Sequence, residues 1–323
     1  MKAAVLHKLG EAPKYEDFPE PVLQNANQVL ITVKAASVKN LDKGRASGSH
    51  YASYKSLPVV VGIDGVGVLE DGTRVYATGI TGMIAEKALI NKNVYTVLPD
   101  NLDDITAAAL PNAIMGAALA IKYRAEIKPG DTVLINGATG VTGQTAIQIA
   151  KYYGARYVIA TGRNPESLNL LLHLGADEIV SLKEEESVII SRLKELHRFN
   201  PINAVIDYTW GRPAELILSA LKGEGLHSVA NRVRFVTVGS MAGEHIQLSS
   251  GFLRSSPIEI LGSGFGSIAQ DVMERLPKEI LPEMLQLAAD GKLKIETVTV
   301  PLLDVETAWN ENIPAGKRLV ITI

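Results

Sequence analysis

Cysteine is absent from all 323 residues, which excludes disulfides, thiolate catalysis and any cysteine-ligated metal. The absence fits a reducing cytoplasm, and a cytoplasmic location is the expectation. An excess of positive charge is also missing: the formal net charge is −3, with no basic tail, stripe or block. Neither nucleic acid nor a membrane surface is therefore an expected partner. Long apolar runs are missing too. The apolar stretch Ala107 to Ile121 falls short of the ~18 residues of a membrane span and is interrupted by Pro111, Asn112 and Gly116, so it reads as a buried helix. The opening Met1 to Lys8 has too short an apolar core for a signal peptide. No G-x-S-x-G elbow occurs, which argues against an esterase, and there is no internal repeat. The six histidines, His7, His50, His173, His197, His227 and His245, are scattered without metal-ligand spacing.

What is present is organised around Val133-Leu134-Ile135-Asn136-Gly137-Ala138-Thr139-Gly140-Val141-Thr142-Gly143. A β-rich apolar run enters a glycine turn, which opens into a segment with Ala146, Ile149, Ala150 and Tyr153 at helical spacing. Gly137 can adopt a backbone conformation closed to other residues, Gly140 lets the main chain approach a ligand, and Gly143 lets the new helix lie close to its strand. The unpaired N–H groups of the helix start suit an anion, and a dinucleotide pyrophosphate is the natural occupant. A second apolar strand, Tyr157 to Thr161, follows at βαβ spacing.

Before that stretch the chain is rich in short strands and turns. Gln28 to Val33 alternates, and Pro58 to Gly67 and Thr73 to Thr78 are apolar pieces separated by Asp-Gly turns. A small, mostly antiparallel barrel is expected there, with a helix over Thr106 to Ala120 leading out. Apolar strand cores then recur at Val133–Ile135, Val158–Ala160, Ile179–Val180, Ala204–Ile206, Phe235–Val238 and Ile258–Leu261. Helical segments lie between most of them, which predicts a doubly wound parallel sheet. A helix over Leu281 to Ala289 and strands at Ile295–Val300 and Leu319–Ile323 are too small to fold alone and should return to the barrel. The expected division is a barrel domain of residues 1–120 and 267–323 around a Rossmann domain of residues 121–266.

Taken in order, Gly62-Ile63-Asp64-Gly65-Val66-Gly67, Ala108-Ala109-Leu110-Pro111, Lys128-Pro129-Gly130-Asp131, the glycine loop, Leu174-Gly175-Ala176-Asp177 and Asp290-Gly291-Lys292-Leu293 resemble the medium-chain dehydrogenase/reductase superfamily. The likeness is to its zinc-free quinone oxidoreductase branch and runs nearly end to end. It implies a chaperonin-10-like barrel with a Rossmann domain, hydride transfer from a nicotinamide, and a homodimer, for which Ile258–Leu261 is the candidate contact. Where zinc-dependent relatives keep their catalytic ligands, this chain has Lys39, Ile63-Asp64 and Asn112, which cannot hold a tetrahedral zinc. No metal is expected. Where zinc-free relatives have a Thr and then an aromatic residue over the nicotinamide, this chain has Gly116 and Ala118, implying a more open pocket floor.

An NAD-binding loop has Asp or Glu ~20 residues past its glycines, accepting hydrogen bonds from the ribose. By the resemblance Gly162 takes that position, and Arg163 beside it offers donors suited to the 2′-phosphate of NADPH. A second reading stays open, in which Arg163 is a solvated turn residue and Asn164 caps a helix beginning at Pro165. Gly239-Ser240 and Gly262-Ser263 end late strands, and the resemblance puts them near the nicotinamide ring, so the expected cofactor set runs from Gly137, Ala138, Thr139, Gly140, Val141 and Thr142 through Gly162, Arg163 and Asn164 to these four. Lys183 to Glu186 reads as a solvated loop and helix start.

Lys39, Asn112 and Tyr51 are the catalytic candidates. A buried Lys39 ammonium could stabilise or protonate a developing oxyanion, with its pKa lowered by burial and the Asn112 amide as an auxiliary donor. Equally, Lys39 could point to solvent or pair with Asp42 or Asp64. Tyr51 and Tyr54 could shield the nicotinamide or donate a proton, or could simply pack against the barrel. The expectation is an NADPH-dependent reductase of a quinone or an α,β-unsaturated carbonyl compound. The alternative is an NADPH-binding sensor or structural protein without physiological turnover.

Overall fold

A computed structural model describes residues 1–222 and 231–323. Two compact units result, Met1–Pro111 with Glu274–Ile323, and Asn112–Met273. In the first, apolar alternation yields β1 (Lys2–Leu6), β2 (Lys14–Asp17), β3 (Gln28–Val38), β4 (Val59–Val60), β5 (Asp64–Val68), β6 (Arg74–Thr78), β7 (Lys87–Asn91) and β8 (Thr96–Val97), with helix α1 (Asn40–Ser47) after β3. The unit's later segment adds β15 (Glu296–Pro301) and β16 (Lys317–Thr322), numbered in chain order.

These strands form a three-stranded sheet, β2-β1-β4, and a larger one ordered β15-β16-β3-β5-β6-β8 with β7 on β3. Every pairing is antiparallel except β15 with β16. β3 continues past Val33 to Val38 and bends by a register shift between Val33 and Ala35, which lets it serve β5, β7 and β16. One face carries the apolar core of Ile31, Val33, Val75, Ala77, Leu319 and Ile321. On β3 and β16 the intervening Ser37, Arg318 and Val320 are buried as well, so those strands are covered on both faces where they meet.

The expected helix over Thr106 to Ala120 is two helices, α2 (Asp104–Ala109) and α3 (Pro111–Ala118), followed by a π-helical turn at Leu119–Arg124. Pro111 has no N–H to continue the ladder, so the first helix ends at Leu110 and the second starts on the proline. The division between the units falls at this break.

The second unit alternates β9 (Thr132–Asn136), α4 (Val141–Tyr152), β10 (Tyr157–Gly162), α5 (Pro165–His173), β11 (Glu178–Ser181), α6 (Glu186–Phe199), β12 (Ile202–Asp207), α7 (Gly211–Ala220), β13 (Val233–Thr237) and β14 (Ile258–Gly262). Its six strands are all parallel, in the order β11-β10-β9-β12-β13-β14. All five residues of β9 are buried, as in a strand covered by helices on both faces. The chain leaves β9 first towards β10 and later returns on its other side as β12. The strand order therefore reverses at the carboxyl ends of these three, the place where open α/β sheets bind ligands.

Candidate active site

The glycine loop between β9 and α4 rests on a buried polar network built from three strand ends. The Asn136 amide donates to Asp207 Oδ1 at 2.8 Å and to Thr209 Oγ1 at 2.7 Å. Its oxygen accepts from the Thr161 hydroxyl at 2.6 Å, and that hydroxyl accepts in turn from Gly137 N–H at 3.3 Å. Ala138 N–H donates to Thr161 C=O at 2.8 Å, so two successive loop residues are fastened to β10. Burial holds the Asp207 carboxyl above the usual carboxylate range, partly offset by donation from the Thr209 and Trp210 N–H groups, the Thr209 hydroxyl and Asn136. Spacing alone does not reveal this network, because its members lie 25 and 71 positions apart.

Each glycine of the loop answers a different demand. Gly137 has φ +77°, and an added Cβ would stand 2.6 Å from Thr209 Cγ2. At Gly143 a Cβ would meet Ala138 Cα at 2.6 Å, so the helix can sit against the loop only without one. Gly140, which caps α4, has extended backbone and would bring its Cβ no closer than 3.8 Å to any neighbour, the Gly137 carbonyl oxygen. Protein packing does not demand glycine there, whereas a phosphate lying against the main chain does. The loop fits a dinucleotide on this ground, and the N–H groups of Val141 and Thr142 begin the helix that would face it.

At the end of β10, Gly162 is buried and Arg163 is exposed. No hydrogen bond or ion pair ties the Arg163 guanidinium to the described residues. Asn164 caps α5, its side chain accepting from Ser167 N–H at 3.1 Å, with Pro165 at the first helical position. The asparagine is a cap, as the second reading has it, and the arginine beside it is exposed and unattached among the described residues.

Other strand ends carry the remaining candidates. Ser240 is exposed and donates to Glu244 at 2.6 Å, while Gly239 is crowded, a Cβ there falling 2.9 Å from the Tyr208 carbonyl. Gly262 has no neighbour within 4 Å of an added Cβ, and Ser263 N–H donates to Thr237 C=O at 2.8 Å. Gly116 and Ala118, from which a more open floor is expected, sit among close neighbours. A Cβ on Gly116 would meet Cγ2 of Thr142, in the first turn of α4, at 3.0 Å, and Ala118 is fully buried. Asn112 stands half-buried in the first turn of α3 without a hydrogen-bond partner among the described residues.

In the first unit Lys39 is buried, its side chain 1% exposed. Its Nζ donates to Asp64 Oδ1 at 2.6 Å, Ser37 C=O at 2.8 Å and Ser37 Oγ at 3.2 Å, and lies 3.1 Å from Asp42 Oδ2. An ammonium has three protons, and these acceptors use them all. Asp42 also accepts from the N–H groups of Lys39 and Ile63, each at 2.9 Å, and Asp64 from the Tyr76 hydroxyl at 3.0 Å. The expected lowering of the lysine pKa is overturned. Burial does pull it down and is the largest single influence, but the charges of Asp42 and Asp64 and the Asp64 hydrogen bond together raise it above 10.5, against opposition from Arg318. Sequence reasoning missed Arg318, which is buried on β16 with its Nε unpartnered among the described residues.

Tyr51 is 93% exposed and lies against the His50 ring, with centroids 4.1 Å apart, so it does not pack against a core among the described residues. Tyr54 does, beneath Arg45, whose guanidinium carbon lies 4.5 Å from its ring centroid. His197 is half-buried with its pKa lowered by burial, and His227 lies outside the described residues. Among the described residues no helix is long and apolar enough to cross a membrane.

Comparison with known proteins agrees with this architecture. Residues 141–289 match the family described as zinc-binding dehydrogenase. Over 96% of both chains the protein is 27% identical to a probable NADPH-dependent quinone reductase, tdiC, of Emericella nidulans. It is 30% identical to the quinone oxidoreductase of Sus scrofa across 74% of this chain and 73% of that one. Among solved structures, the quinone oxidoreductase of Thermus thermophilus, determined also as its NADPH complex, superposes with a TM-score of 0.79 at 26% identity over the whole of both chains. The zinc in the family description finds no matching donors here. Among the described residues no three His, Asp or Glu side chains converge as a metal site, and the Asp42 and Asp64 carboxylates already face an ammonium, which cannot ligate. With the six-stranded parallel sheet, the glycine loop and the end-to-end relatives in agreement, the chain belongs to the quinone oxidoreductase branch of the medium-chain dehydrogenase/reductase superfamily.

Proposed function

We propose that this oxidoreductase reduces a quinone or an α,β-unsaturated carbonyl compound with NADPH, without zinc, in the cytoplasm. The observation that carries the cofactor choice is the end of β10, where a buried glycine replaces the ribose-binding acid and an exposed, unattached Arg163 stands beside it. Relatives named as an NADPH-dependent quinone reductase and an NADPH-dependent alkenal/one oxidoreductase support the same choice and the substrate class.

NADPH, when bound, supplies a hydride to an electron-poor carbon. The chain's own part is to hold and to exclude. The fastened loop from Gly137 to Thr142 would cradle the pyrophosphate, with the N–H groups of Val141 and Thr142 turned to it, and Arg163 would receive the 2′-phosphate. Gly239, Ser240, Gly262 and Ser263 are the strand-end residues assigned to the nicotinamide, and Gly262 leaves open space there. Lys39 takes no direct part in this reading, since its protons are committed within a closed ion cluster. Of the three catalytic candidates only Asn112 keeps uncommitted polar hydrogens in a half-buried setting, and its amide is the donor assigned to the substrate oxygen. A homodimer would pair the edge strand β14, whose Ile258, Ile260 and Leu261 are each half-buried.

The deciding experiment follows NADPH and NADH oxidation against a panel of quinones and enones, beside cofactor titration and elemental analysis. Turnover that favours NADPH, in a metal-free preparation, is the expected result. Tight NADPH binding without turnover on any substrate would favour a sensor, and stoichiometric zinc would overturn the metal-free mechanism.

A further inference from the structure

The cofactor corner holds a steric feature that the charge argument does not contain. Gly162 has no positive φ, so its backbone does not require glycine. Space does: a Cβ built there falls 2.5 Å from Thr139 Cγ2, 3.3 Å from Thr139 Oγ1 and 3.2 Å from Leu168 Cδ2. Thr139 belongs to the glycine loop, and its methyl group therefore lies on the position from which an acidic side chain would project towards the ribose hydroxyls.

The threonine cannot easily yield. Its neighbours Gly137 and Ala138 are fastened to Thr161 through their N–H groups, and its own C=O accepts from Gln144 Nε2 at 3.3 Å. A β-branched side chain is stiff at χ1, with few alternatives to its preferred rotamer. Leu168 is different in kind. It touches with the far end of a flexible side chain and needs to give only a few tenths of an ångström.

We infer that Thr139 is a specificity-determining residue which, by packing its methyl group on Gly162, bars the acid that NADH recognition uses and so restricts the site to 2′-phosphorylated dinucleotides. The inference rests on the NADPH reading and adds a mechanism to it. Discrimination is then a property of two contacting positions, one in the loop and one at the strand end, and neither position converts the preference alone.

The test is a double-mutant cycle of Gly162→Asp, Thr139→Ala and the pair, with melting temperature measured without cofactor and dissociation constants measured for NADPH and NADH. Gly162→Asp alone should melt earlier than the parent and bind both cofactors more weakly. Adding Thr139→Ala should recover much of the melting temperature and bind NADH about tenfold more tightly than the single variant does, a coupling within the range for residues in contact. A Gly162→Asp single variant that melts like the parent and binds NADH as tightly as the double variant would overturn the inference. Should that variant fail to fold, Gly162→Ala carries the same Cβ, and its melting loss should be relieved by Thr139→Ala. Failure of the NADPH reading looks different: the parent itself would bind NADH as well as NADPH, whatever the melting cycle gave.

Discussion

The two units each bury a polar cluster at strand ends, and the clusters are built for opposite ends. Around Lys39, two carboxylates meet one ammonium with Ser37 and Tyr76, Arg318 acting on them only through its charge, and the lysine's protons and both aspartates are consumed internally. Around Asn136, a single carboxylate is surrounded by an amide, two hydroxyls and backbone N–H groups, and the network's outermost bond is spent on Gly137. The first cluster closes on itself. The second ends in a loop where a Cβ on Gly140 would make only an ordinary contact, 3.8 Å from the Gly137 carbonyl oxygen. Burial alone therefore does not mark a chemical site; what matters is whether the cluster has a donor or a surface left over.

The sharpest way to break this comparison is Lys39→Met, which leaves two buried carboxylates with Arg318 as their remaining cation. A loss of about 3–5 kcal/mol in urea unfolding is expected, the scale for removing one partner of a buried pair. A variant as stable as the parent but with a much lower kcat would return Lys39 to the chemistry. The pH dependence has a definite sign. Because the folded pKa is raised, the lysine's stabilising contribution is fully present below 10.5 and is lost only as pH climbs through the higher folded value. No alkaline loss of stability assignable to Lys39 should occur below that pH.

A smaller effect is expected in the second cluster, and on binding instead of folding. Gly140→Ala places a methyl group where no protein atom objects, so the melting temperature should hold while NADPH and NADH both weaken by about a hundredfold, the upper range for losing a charge-assisted phosphate contact. An equal fall in melting temperature would make Gly140 a packing residue. Next comes Arg163→Ala, expected to weaken NADPH by about tenfold, the lower end of the same range, because the guanidinium is exposed and screened. NADH affinity should stay where it was; equal losses for both would make the arginine structural. The smallest change belongs to Tyr51→Phe. With the ring almost wholly in solvent, kcat and stability should stay within about twofold and 0.5 kcal/mol, and a large kcat loss would show that the loop carrying Tyr51 meets the substrate.

Local order is legible wherever one segment determines its own fate. The run from Val133 to Gly143 announces strand, turn and helix, and Asn164-Pro165 announces a cap and a first helical residue, because propensity and hydrogen bonding act within a few positions there. The stretch from Thr106 to Ala120 reads as one continuous helix only when Pro111 is given too little weight, and that signal is present in the sequence. Lys39 is different. Its ion pairs are one of two readings the sequence leaves open, and the choice depends on Asp64, 25 positions away, and on how deeply both are buried. The neighbour of Gly116 is hidden for the same reason: Thr142, 26 positions on, meets it only in space. Non-local contacts of this kind have no periodicity to betray them.

The division of the chain has a consequence for the order in which the protein is made. The second unit is contiguous, Asn112–Met273, whereas the first unit's large sheet depends on β16, whose Leu319 to Thr322 lie opposite Ala35 to Val38. During synthesis the six-stranded parallel sheet has all its strands in hand before that pairing can begin, and domains fold as units as they emerge. The ion cluster is bound to the same schedule, since Arg318 arrives with β16 long after Lys39, Asp42 and Asp64. Until then those three stand in a sheet lacking the partner strand that lies between β3 and β15. Pulsed hydrogen exchange on stalled chains should find β9 protected while β3 is still open; simultaneous protection of the two would contradict this order.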